Sequence, residues 1–156
     1  MIKEKSKAPE FELKNSKENV VRLKDYAGKP FILYFYPKDD TPGCTTEACN
    51  FRDDFSLYQD IGIEILGVSP DSPKSHQKFA EKHHLPFTLL SDEGHKVAEK
   101  YKVWGKKKFM GKEYDGIFRT TFLIDKNGNI AKVFEGVKPA NHSKEVLIEA
   151  KKLLQL

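Results

Sequence analysis

The chain has 156 residues, of which 38% are hydrophobic, 12% aromatic and 32% charged. That length predicts one domain over residues 1–156, large enough to hold a core without crosslinks, and eleven phenylalanines argue against disorder. A net charge of +4 is too mild to imply a nucleic-acid partner, and two cysteines exclude a disulfide scaffold, a cysteine-rich zinc module and a Cys-ligated iron–sulfur centre.

The first residues, Met1-Ile2-Lys3-Glu4-Lys5-Ser6-Lys7, lack the apolar stretch of a signal peptide. No run approaches the roughly 18 apolar residues of a membrane span. The expected address is therefore the cytoplasm, away from membranes, where a cysteine pair is more often chemical than structural. Two short strand-like runs, Phe11-Glu12-Leu13 and Val20-Val21-Arg22-Leu23, flank a polar turn and predict an N-terminal hairpin. Phe31-Ile32-Leu33-Tyr34-Phe35-Tyr36 is continuously apolar and stops at Pro37, the pattern of a central strand buried on both faces. Residues 61–68 and 87–90 predict two further strands. Ser72 followed by Pro73 predicts a helix start, with the helix running to residue 84. A shorter helix is expected over residues 94–101. Residues 120–125 and 130–134 flank Asn127-Gly128 and predict a second hairpin, and a charged terminal helix is expected over residues 143–154. Helices alternating with strands, then a hairpin and a last helix, make an α/β fold of thioredoxin-like architecture with a central mixed sheet and the N-terminal hairpin as an extension.

The informative stretch follows the central strand: Pro37-Lys38-Asp39-Asp40-Thr41-Pro42-Gly43-Cys44-Thr45-Thr46-Glu47-Ala48-Cys49. Ala48, Phe51, Phe55 and Tyr58 form one apolar stripe, so a helix starts here. Thr41 and Pro42 supply N-cap and first-turn residues, which puts Cys44 in the first turn. A thiol there faces unpaired N–H groups and the positive end of the helix dipole, both of which favour thiolate. That is not sufficient. Moving a thiol from about 8.5 to about 6 takes roughly 3.4 kcal/mol, whereas a helix terminus supplies up to ~2. A cation must come from elsewhere, and Arg119 is the candidate. The competing reading is an inert thiol, because Cys44 is also in phase with Ala48, Phe51 and Phe55.

Pro37-x-x-x-Thr41-x-x-Cys44 resembles the signature of the peroxiredoxins, thiol peroxidases on a thioredoxin fold. The longer run from Phe35 to Cys49, with Phe51-Arg52-Asp53, Gly67-Val68-Ser69-Pro70-Asp71 and Arg119-Thr120-Thr121-Phe122, is similar to the peroxiredoxin Q or bacterioferritin comigratory protein branch. The resemblance implies that Cys44 is the peroxidatic cysteine and Cys49 the resolving one. It further implies that Thr41 hydrogen-bonds thiolate and peroxide, that Pro37 shields the sulfur, and that Arg119 stabilises the developing charge. The implied partners are a hydroperoxide and thioredoxin or a similar dithiol reductant, with neither organic cofactor nor metal, and the bond within one chain suits a monomer. On an unbroken helix the two cysteines would lie roughly 8.6 Å apart at Cα and diverge by about 140°, too far for a disulfide. The resemblance therefore implies a helix that opens during the cycle.

A disulfide reductase would want C-x-x-C, where this chain has C-x-x-x-x-C. A copper carrier would also favour soft thiolates, but its usual C-x-x-x-C is not present. His76, His83, His84, His95 and His142 have no metal-ligand spacing and are expected to be solvated or to cap helices. Lys106-Lys107-Lys108, Phe109 and Lys112 read as a solvated loop over residues 103–117 that borders the substrate entrance, with Trp104 and Tyr114 as packing residues.

Overall fold

The computed structural model describes residues 2–154. Its elements, in order, are β1 (Glu12–Asn15), β2 (Val20–Arg22), a 3-10 turn (Leu23–Tyr26), β3 (Phe31–Phe35), α1 (Pro42–Asp53), α2 (Phe55–Asp60) and β4 (Glu64–Ser69). There follow α3 (Pro73–His83), β5 (Thr88–Ser91), α4 (Lys96–Lys100), β6 (Trp104–Phe109), β7 (Lys112–Ile117), β8 (Thr120–Ile124), β9 (Ile130–Phe134) and α5 (His142–Leu154). Seven strands form one sheet in the order β2-β1-β5-β4-β3-β8-β9. The β3–β4 and β4–β5 pairs are parallel and the remainder antiparallel, which makes the sheet mixed.

The all-apolar run in β3 hides a period of two. Ile32, Tyr34 and Tyr36 enter the core shared with Cys44, Ala48 and Phe51 of α1 and Val146 of α5. Phe31, Leu33 and Phe35 enter a second core with Tyr101, Phe122 and Val97. Both faces of the strand are covered, so alternation between polar and apolar residues has no purpose there. At Gly67 of β4 a Cβ would lie 2.9 Å from the Tyr34 hydroxyl, so only glycine lets the tyrosine ring cross the strand.

Ser72 caps α3 through its side chain, which accepts from Ser75 N–H, and Pro73 stands at the first helical position. Gly128, with φ 79°, makes the turn between β8 and β9, and Asp125 there accepts from the Asn127 and Asn129 N–H groups.

Four expectations need correction. Residues 103–117 are a ribbon rather than a loop: β6 and β7 pair from Trp104↔Ile117 to Phe109↔Lys112. Met110 (φ 51°) and Gly111 (φ 79°) form the tight turn. The stripe from Ala48 to Tyr58 is carried by two helices that break at Asp54. His76 and His142 are buried rather than solvated. Trp104 stacks on His95 at 3.7 Å as a packing residue should, but Tyr114 is exposed.

Candidate active site

Pro42 is the first residue of α1, and the first bond of its ladder runs from Thr45 N–H to Thr41 O at 2.8 Å. The N–H groups of Gly43 and Cys44 precede that ladder and have no partner within the helix. Cys44 lies in this first turn with its side chain buried, while Cys49 is half-buried on the same unbroken helix, and both are free thiols.

The cation expected for Cys44 is in place. Arg119 Nη2 donates to Cys44 Sγ at 3.1 Å. Its other terminal nitrogen, Nη1, donates to Glu47 Oε1 at 2.6 Å. The guanidinium therefore bridges sulfur and carboxylate one helical turn apart. Its backbone is held as well, because the Arg119 carbonyl accepts from Val137 N–H at 3.2 Å. Two residues on, Pro139 lies beside Gly43, and its carbonyl accepts from Asn50 Nδ2 at 3.1 Å. Residues 137–139 thus strap α1 against Arg119, in the connection just before β8.

Glu47 is the residue the sequence reading missed. Its side chain is fully buried, and burial pushes its carboxyl up to about 7 against the opposing pull of Arg119. Its second oxygen, Oε2, and the buried Tyr34 hydroxyl have no hydrogen-bond partner among the described residues. Burial, then the charges of Glu47 and Cys44, pushes the Tyr34 phenol well above its ordinary value. The signal for Glu47 was available: residues 44, 47, 48 and 51 share one helical face, and a carboxylate on a buried stripe requires a partner.

Thr41 stands at the N-cap position without capping α1 through its side chain. Its hydroxyl donates back to the Lys38 carbonyl at 2.9 Å, closing the loop between β3 and α1. Pro37 is half-buried directly after Tyr36. Lys107, read as part of a solvated cluster, is half-buried and donates to Ile117 O at 2.9 Å. Burial, then the Arg119 charge, lowers its ammonium, while Cys44 opposes them. The β6–β7 ribbon therefore adds a second positive charge to the surroundings of the sulfur.

A sulfur nucleophile faced by a guanidinium and by free N–H groups suits attack on an electrophile whose leaving atom gains negative charge. The chain belongs to the AhpC/TSA family, whose pattern matches residues 5–133. Within that family it is a peroxiredoxin of the Bcp or peroxiredoxin Q group. Peroxiredoxin Bcp of Bacillus subtilis is 55% identical over 141 residues, covering 90% of each chain. Peroxiredoxin Bcp of Escherichia coli is 49% identical over 140 residues, again covering 90% of each. Among solved structures, the bacterioferritin comigratory protein of Xanthomonas campestris superposes with a TM-score of 0.88 at 37% identity, covering 92% of both chains. Peroxidoxin BcpB of Mycobacterium tuberculosis gives 0.87 at 31%, covering 98% of this chain and 99% of that one.

Proposed function

We propose that this peroxidase reduces hydrogen peroxide and organic hydroperoxides through Cys44 and recycles through Cys49. The Cys44 thiolate attacks one peroxide oxygen. An S–O bond forms, the O–O bond breaks, and the leaving oxygen takes a proton to depart as water or an alcohol. Cys44 is left as a sulfenic acid, oxidised by two electrons. The Cys49 sulfur then attacks the Cys44 sulfur and water leaves, giving a disulfide within one chain. Thioredoxin or a similar dithiol returns the two electrons.

The observation that carries this reading is the 3.1 Å contact of Arg119 with the Cys44 sulfur at the start of a helix. In that position the guanidinium stabilises the thiolate first and the separating oxygens afterwards. Thr41 and Pro37 flank the approach, as hydrogen-bonding and shielding groups respectively. Because both cysteines lie on the intact helix α1, the bond between them requires the first turns of that helix to open. No partner subunit is needed for this bond, and we read the protein as a cytoplasmic monomer.

The decisive experiment supplies thioredoxin, its reductase and NADPH and follows NADPH oxidation on adding hydrogen peroxide or an organic hydroperoxide. Turnover with both, lost in Cys44→Ser, is the expected result. No turnover with any dithiol reductant would sink the reading.

A further inference from the structure

The chemistry described so far uses the end of the β3–α1 loop next to the helix. The other end holds a buried polar cluster in which Asp39 is 7% exposed and His76 0%. Asp39 Oδ1 accepts from the Tyr36 hydroxyl at 2.6 Å. Asp39 Oδ2 accepts from Ser75 Oγ at 2.8 Å and lies 2.8 Å from His76 Nδ1. The far nitrogen of that ring, Nε2, is 2.9 Å from the Leu90 carbonyl. A carbonyl only accepts, so Nε2 carries a proton and donates. The near nitrogen, Nδ1, also lies 3.4 Å from the Tyr36 hydroxyl. The Asp39 N–H donates to Asp71 Oδ2 at 2.8 Å, and that oxygen also accepts from Ser69 Oγ at 2.6 Å.

Donors therefore already point at both carboxylates, and the cluster is built to hold the chain rather than a cation. Its effect is to tie Asp39 to α3 through Ser75 and His76, to β5 through Leu90, and to the turn before α3 through Asp71. One residue later the buried hold ends: Asp40 is exposed, has φ 59°, and among the described residues is tied only at the surface, by pairing with Lys82 and His83 of α3. A left-handed aspartate between a buried anchor and a helix start is a joint in the chain. At the opposite end of α1, Arg52 Nη1 donates to the His83 carbonyl at 2.8 Å. Helix α3 thus grips the chain on both sides of the segment that carries the two cysteines.

We infer that His76 is a positioning residue for Cys44: through Asp39 it fixes the base of the loop, so that opening of α1 stops at Asp40. The second half of this inference rests on the reaction cycle proposed above.

Two amide isosteres separate the two bonds of His76 in the full chain. His76→Asn keeps a polar amide group where Nδ1 stands, toward Asp39. His76→Gln keeps one where Nε2 stands, toward the Leu90 carbonyl. The readouts are the oxidation rate of Cys44 by hydrogen peroxide, its alkylation by iodoacetamide in a Cys49→Ser background, and amide exchange at Asp39, whose N–H donates to Asp71 Oδ2. His76→Gln is expected to slow oxidation and alkylation about tenfold and to speed exchange, because small displacements of a reacting group cost rate steeply. His76→Asn is expected to restore most of both rates. Equal losses in the two variants, or no loss in His76→Gln, would overturn the proposal.

If neither variant folds, exchange in the unaltered protein decides. Oxidation should remove protection over residues 45–49 and leave Asp39 protected, and loss at both, or at neither, overturns the boundary. A protein inert to every hydroperoxide sinks the reaction cycle instead, and the alkylation ratio of the two variants then decides the role of His76 alone.

Discussion

A methyl group placed on Gly43 would lie 3.3 Å from Arg119 Nη2, so the glycine leaves the guanidinium just enough room to reach the sulfur beside it. Alanine at this helical position should favour α1 by up to about 1 kcal/mol. Arg119 is held on both of its terminal nitrogens and must yield by a few tenths of an ångström. Gly43→Ala is therefore expected to raise resistance to urea while slowing Cys44 oxidation roughly tenfold. Urea unfolding and rapid-mixing oxidation measure the two effects, and a variant that keeps its rate would show that Arg119 has slack.

Glu47 makes stability depend on pH in an unusual direction. Its carboxyl rises from 4.5 to about 7 on folding. Between those values the folded protein holds a proton that the unfolded chain has released. Stability from this group is thus greatest at low pH and declines as pH rises through the window. Glu47→Gln removes the titration and keeps an acceptor for Arg119. The stability of the unaltered protein relative to this variant should be higher near pH 5 than near pH 8 by at least about 1 kcal/mol. Chemical unfolding of both proteins at the two pH values tests the sign.

The Tyr34 hydroxyl is buried without a partner among the described residues, yet its ring stacks on Phe51 at 4.9 Å. Tyr34→Phe keeps the stack and removes the unpaired group. We expect a gain of about 1 kcal/mol in unfolding free energy with peroxide oxidation unchanged. A destabilised variant would mean that the hydroxyl has a hydrogen-bond partner in solution.

Cys49→Ser separates the two halves of the cycle we propose. The first oxidation should proceed at the unaltered rate and leave a sulfenic acid that a dimedone probe traps. Turnover with thioredoxin should fall to background, and excess peroxide should carry Cys44 on to sulfinic acid. Mass spectrometry of the intact chain distinguishes the products, and normal steady-state turnover would remove Cys49 from the mechanism.

The central sheet and the helix starts were legible because their signals are local. Pro73 after Ser72, the run from Phe31 to Tyr36, and Gly128 in its turn each specify a backbone geometry by themselves. The β6–β7 ribbon was not legible. It pairs with itself away from the main sheet, so Lys106, Lys107 and Lys108 show no apolar alternation. Its turn residues are Met110-Gly111 instead of the strongly favoured Asn-Gly. The break at Asp54 was hidden for a related reason, since the stripe of apolar residues continues in phase across it. At the site, Cys44 and Arg119 were found through the demand of a thiolate for positive charge. Glu47 and His76 were not, because each answers to a partner distant in sequence: Arg119 in one case, Asp39 in the other. Composition around a buried polar residue says that a partner is needed, not where it lies.

The interruption at Asp54 also bears on how much of the protein must melt, in the cycle we propose, for the two sulfurs to meet. The Asp54 carboxylate accepts from Ser143 Oγ at 2.7 Å, and the Tyr58 hydroxyl donates to the Ser143 carbonyl, so α2 is fastened to α5 independently of α1. Had α1 and α2 been one helix, fraying at the front would have had a continuous ladder to travel along, and Tyr58 with its core would have been exposed. Two helices make the cooperative unit short. The free energy of opening is then set by the few buried side chains of α1, chiefly Cys44, Glu47, Ala48 and Phe51. That quantity is set locally: a different side chain at Ala48 would change how often α1 opens in the cycle we propose, at a cost to the core it shares with Tyr34 and Val146.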